Sequence, residues 1–221
     1  MESGSGFSLL ELWFMGGIFM WPLLFFSIAT VAITLERAIY LLYHNLKLDD
    51  LKGHVESAIE KGNIAEAREY LSKQTRRRMG ARILLTMVNR AGLSEHRLEK
   101  ATEAEALTCI TSLENGFNFL TALGSLSPLT GFLGTVSGMI GAFKSIAEAT
   151  DVNAQIVASG IYEALITTVF GLVIAIVAMS AHSIFTHAVD KFASEVEIVC
   201  SDLIIRIAES PANPGPAGEN G

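Results

Sequence analysis

Apolar positions along this chain follow two patterns: long uncharged runs, and stretches in which every third or fourth residue is apolar. Gly16 to Leu35 carries no charge, and a helix needs about 20 such residues to cross the hydrocarbon of a bilayer. This predicts a first transmembrane helix over residues 13–43. Trp13 and Trp21 suit one membrane interface and Tyr40 and Tyr43 the other. Pro22 either opens the straight part of this helix or bends it, and the Glu36–Arg37 pair closes the run. Phe117 to Phe143 is also uncharged and predicts a second span over 116–143. Val152 to Val189 holds one carboxylate, Glu163, and predicts a third over 154–189. A polar turn, 144–153, joins the second span to the third.

The remaining stretches are amphipathic. Leu51, Val55, Ala58 and Ile59 recur at helical spacing, as do Ile64, Ala67, Tyr70 and Leu71, and Lys61–Gly62–Asn63 breaks between them. Another helical pattern starts at Ser94 and meets no breaker before Gly116. These make 44–115 a helical domain of the soluble kind. Phe192, Val196, Val199, Leu203 and Ile207 extend the third helix over 190–209. The Pro- and Gly-rich tail 210–221 reads as disordered. The N-terminal segment 1–12 has no Lys or Arg and so lacks the basic region of a secretory signal, which makes the first run a retained anchor. Lys and Arg cluster in 44–115, at the end of the first span and after the third. The positive-inside rule then predicts a cytoplasmic central domain and C-terminus, with 1–12 and 144–153 periplasmic. The expected fold is all-α: a polytopic membrane protein with three long transmembrane helices and a cytoplasmic helical domain.

Composition agrees with this. Of 221 residues, 50% are hydrophobic and 18% charged, and the mean hydropathy is +0.42, too apolar for an ordinary soluble domain. A net charge of -7 disfavours nucleic acid as a partner. The run Arg76–Arg77–Arg78 reads as a solvated face. The two cysteines, Cys109 and Cys200, show no metal-ligand spacing with histidine. No nucleophile–base pair, HExxH motif or paired intramembrane aspartates suggest an enzyme, and no metal or cofactor is expected.

Glu163 carries the most chemical information. A carboxylate within a span costs roughly 2.5–3.5 kcal/mol at the bilayer centre and faces an interior or a water path. It either conducts ions along such a path or stays hydrated near an interface. Thr167 lies one helical turn on, with Thr168 beside it, and Thr135 lies in the second span. These hydroxyls either line a polar path or bond to the backbone in packing. Gly124, Gly131 and Gly138 repeat every seventh residue as a smooth stripe. With Gly134, Gly141 and Gly171 they suit close helix packing in lipid. His182 and His187 read as interfacial polar residues.

The segment from Pro128 to Phe143 and the segment from Gly160 to Ile176 resemble the second- and third-span signatures of the MotA/TolQ/ExbB proton-channel family. Three spans with a large polar loop are most similar to its ExbB branch and next to TolQ, since MotA-type subunits have four spans. The resemblance implies a bacterial inner-membrane homo-oligomer, a ring of five. It surrounds helices of a single-span partner of the ExbD/TolR type and acts on a TonB/TolA-like protein that spans the periplasm. It implies a proton-channel subunit that turns the proton-motive force into mechanical work, to energise outer-membrane transport or, TolQ-like, to maintain the envelope. On this pattern the second-span threonine is Thr135, the third-span glutamate Glu163 and the third-span threonine Thr168. Thr167 stands where relatives often carry a small apolar residue, and Val177 where they often carry proline. A non-conducting membrane scaffold that binds through its polar helices is the alternative of a different class.

Overall fold

The computed structural model describes residues 16–148 and 154–209. The segment 1–12, Trp13, residues 149–153 of the polar turn and the tail 210–221 lie outside them. The described elements are helices: α1 Met20–Tyr43, α2 Asp49–Glu60, α3 Ile64–Gln74, α4 Met79–Asn89, α5 Glu95–Glu114, α6 Phe117–Glu148 and α7 Ala154–Glu209. Among them, three stretches are long and apolar enough to cross a membrane: α1, residues 95–148, and residues 158–207 of α7.

Helix boundaries follow local chemistry. Gly16–Phe19 form a turn before α1, in which Gly17 takes φ +66 and its carbonyl accepts from the Met20 N–H at 3.2 Å. Pro22 falls in the first turn of α1, where a missing N–H breaks no helical bond. The unbroken pattern after Ser94 does stop at Gly116. That residue takes φ +89, and α6 starts at Phe117 because only glycine enters this backbone region freely. α7 by contrast runs for 56 residues without interruption, through Val177.

The described residues form two compact units, those within 16–36 and 116–184 and those within 37–115 and 185–209. In the first, Met20, Leu23 and Phe26 of α1 pack against Ile166, Phe170 and Ile174 of α7. α6 meets α7 through small residues. Large apolar side chains such as Phe25, Phe132, Ile140, Leu165, Val169 and Ile176 remain exposed on the chain. In lipid such surfaces cost nothing, because acyl tails are as apolar as leucine.

The second unit has a soluble-type core. Leu51, Val55 and Ile59 of α2 are buried, as are Ala67 and Leu71 of α3, Leu98 and Leu113 of α5, and Phe192, Val196, Leu203 and Ile207 of α7. Its centre is α4, a helix within 44–115 that the patterns named above do not include. Met79, Gly80, Ala81, Ile83, Leu84, Met87 and Val88 are all buried. The reading of Arg76–Arg78 as one solvated face is corrected in part: Arg76 and Arg77 are exposed, but Arg78 is buried. Its Nη1 donates to Asp50 at 3.3 Å and its Nη2 to the Lys47 carbonyl at 2.6 Å, tying the start of α4 to the approach to α2. Asn63, read as part of a breaker, caps α3 by accepting from the Glu66 N–H and donating to the Glu66 carboxylate. Ser94 precedes α5 without a side-chain cap bond. Lys52 pairs with Asp202 at 2.9 Å, and Arg206 reaches Glu56 at 3.5 Å and Glu60 at 3.8 Å, joining α2 to the end of α7.

Candidate functional site

Glycines let α6 and α7 approach until backbone meets backbone. A Cβ on Gly131 would lie 2.8 Å from the Thr167 carbonyl oxygen and 3.0 Å from Thr168 Cα. One on Gly138 would lie 2.9 Å from Ala164 Cβ and 3.1 Å from the Gly160 carbonyl oxygen. A Cβ on Gly134 would overlap the Thr167 hydroxyl, and one on Gly171 would lie 2.5 Å from the Ser127 carbonyl oxygen. A Cβ on Gly124 would instead meet the Met179 side chain, 2.6 Å from its sulfur, and lie 3.8 Å from Ala178 Cβ. Gly141 differs from the packing role expected for it, because a Cβ there would meet open space.

This closeness brings two threonines of α7 onto one carbonyl of α6. Thr168 Oγ1 donates to the Gly131 carbonyl at 3.1 Å. Thr167 Oγ1 lies 2.8 Å from the Ala164 carbonyl and 3.3 Å from that of Gly131, so its proton is shared between them. Thr167 is 1% exposed and enclosed in the seam. Of the alternatives open for it, the geometry is that of a packing hydroxyl satisfied by backbone. Thr168 is half-buried and reaches the edge of the seam. Thr135, also half-buried, turns its hydroxyl back to the Phe132 carbonyl of its own helix at 2.6 Å. His182 packs edge-on against Phe117, with ring centroids 6.1 Å apart, and Arg37 lies over the Tyr40 ring.

Glu163 is half-buried beside the seam, on the wall of a cavity of about 320 Å³. The turn before α1 lines one side through Gly16, Ile18 and Phe19. Gly134, Ser137, Gly138, Gly141 and Ser145 of α6 line another, and Ser159 and Gly160 of α7 complete it. Gly134 touches Thr167 and also lines this cavity, so seam and cavity are continuous. Such a wall suits water and a titratable carboxylate, because hydroxyls supply hydrogen bonds while glycines leave volume. Sequence reasoning missed the serines of α6 and the turn before α1. Ser137, Gly141 and Ser145 recur every fourth residue, a small polar stripe visible in the sequence. The contact of Gly17 with Glu163 had no sequence signal. Among the described residues no cluster of His, Cys, Asp or Glu is arranged to hold a metal.

Helices of this length and apolarity, with a polar seam between two of them, define a multi-pass membrane protein. The chain belongs to the MotA/TolQ/ExbB proton channel family, whose profile matches residues 65–198. An ExbB-like biopolymer transport protein of Synechocystis is 31% identical over 206 residues, covering 88% of this chain and 80% of that protein. Biopolymer transport protein exbB1 of Vibrio cholerae is 29% identical over 187 residues, 82% of this chain and 80% of its own. The Tol-Pal system protein TolQ of Haemophilus influenzae is 46% identical over 74 residues, 34% of this chain and 32% of its own. The family is one of proton channels.

Proposed function

We propose that the chain is the proton-channel subunit of an inner-membrane motor, in which Glu163 and the hydroxyls of Thr135 and Thr168 serve the proton path. The observation that carries this reading is a carboxylate, in a helix long and apolar enough to span a membrane, on the wall of a serine- and glycine-lined cavity continuous with the α6–α7 seam. A carboxylate so placed is costly unless it is hydrated or exchanges a proton, and a wall of small residues supplies room for that water. The chain assembles as a ring of five around helices of an ExbD/TolR-like single-span partner. The exposed apolar faces of α6 and α7 supply surface for neighbouring copies, partner and lipid. Thr168 and Thr135 hydrate the path near the partner's carboxylate, and Glu163 holds a negative potential or a transient proton. The polar unit is cytoplasmic and the turn 144–153 periplasmic, as the distribution of Lys and Arg supports.

The energised process is outer-membrane transport through a TonB-like protein, which the long matches to ExbB-named relatives favour. A TolQ-like role in the envelope, through a TolA-like protein, is favoured instead by the higher identity of the shorter TolQ match. The chain copurified with its single-span partner and placed in proteoliposomes tests the proton reading. Glu163→Ala should leave the assembly intact and lower gradient-driven flux by roughly 100-fold, the scale for losing a proton-transfer group. Thr135→Ala and Thr168→Ala should lower it less. Wild-type flux in all three variants refutes the assignment.

A further inference from the structure

Gly17 approaches the Glu163 carboxylate more closely than any side chain would permit. A Cβ built there would overlap Glu163 Oε1 and lie 3.0 Å from its Cδ and 3.7 Å from its Cγ. Gly17 also has φ +66, which disfavours other L residues. It sits in the turn that starts α1, and its neighbours Gly16, Ile18 and Phe19 line the cavity that Glu163 borders. The carboxylate therefore rests against the turn that opens a 24-residue helix. On its other side the cavity of about 320 Å³ has room for several waters, at roughly 30 Å³ each in the liquid. Ser137, Ser145 and Ser159 offer those waters hydrogen bonds.

We propose that Gly17 is a positioning residue for Glu163. The bare backbone at this point seats the carboxylate between the start of α1 and the cavity water, so the first span builds part of the proton site. The inference rests on Glu163 being that site. A side chain at position 17 would push the carboxylate out of its seat without changing the groups on α6 and α7.

The test compares gradient-driven proton flux per assembled complex in proteoliposomes. Gly17→Ala adds both backbone strain and the collision. Gly17→Asn adds the collision with less strain, since asparagine enters the left-handed region readily. Gly62→Ala adds strain alone, because Gly62 has φ +67 and open space around it. Both Gly17 variants should lose roughly 10- to 100-fold of the flux, the scale expected when a reacting group is displaced by about 1 Å, while Gly62→Ala keeps the wild-type rate. Shortening the carboxylate should relieve the collision, so Gly17→Asn with Glu163→Asp should conduct better than Gly17→Asn alone. Wild-type flux in Gly17→Asn, or no recovery in the double variant, overturns the proposal. Loss of assembly in both Gly17 variants also overturns it, by making Gly17 a folding residue. Wild-type flux in Glu163→Ala instead refutes the proton reading of Glu163 itself, a separate failure.

Discussion

At the scale of single residues, neighbours of like chemistry take different roles once packing separates them. Thr167 and Thr168 are adjacent, and both hydroxyls reach the Gly131 carbonyl, yet only Thr168 stays half-buried at the edge of the seam. Arg77 and Arg78 are adjacent too, and only Arg78 is enclosed, bonded to Asp50 and to the Lys47 carbonyl. Arg78→Ala strips that carbonyl of its charged donor and should lower stability by about 1–3 kcal/mol. Arg77→Ala should change it by less than about 0.5 kcal/mol, as exposed positions do. Thermal unfolding of the detergent-purified protein measures both. A run of three arginines shows that charge is present, and a contact with α2 decides which one folds inward.

At the scale of elements, the sequence announced the three spans because membrane insertion depends on a local property, the length of an uncharged run. It announced α2, α3 and the C-terminal part of α7 through helical periodicity. α4 carries the same signal, with Arg82, Thr86 and Asn89 at helical spacing opposite its buried apolar residues, but it is short and the reading of 44–115 did not single it out. The glycines of α6 were legible as a packing stripe, but not which of them meet α7. Gly131→Ala places a methyl against backbone atoms that cannot rotate away. It should destabilise by about 1–3 kcal/mol, as overpacking does. Gly141→Ala enters open space and should be neutral or stabilising by some tenths of a kcal/mol. Reversible unfolding in detergent, compared between the two variants, checks this contrast.

At the scale of the whole molecule, the second unit joins segments far apart in sequence. The bond between Lys52 and Asp202 raises the Lys52 pKa above its ordinary value of 10.5. The stabilisation from this pair is therefore complete below that value and is lost as pH rises through the higher folded pKa. At mildly alkaline pH less of Lys52 is the free amine in the folded protein. Lys52 should thus be acylated more slowly in the wild type than in Asp202→Asn, read by mass spectrometry of the modified peptide. Above the usual lysine range, protease should reach α2 more readily, and added salt should have the same effect by screening an exposed pair. Equal acylation in both proteins would mean that the pair does not form in solution.

What the sequence determined by itself was local: how many helices are long and apolar enough to span a bilayer, which intramembrane residue carries a carboxyl group, and which small residues share a helix face. These follow from run length and helical period, which operate within one segment. Only the tertiary structure decided that Gly17 lies against Glu163, that Thr167 is sealed into the seam, that Gly141 borders a cavity and that Arg78 is buried. Each of these joins residues from different helices. Periodicity tells which residues share a face, whereas packing alone decides which faces meet and at what depth.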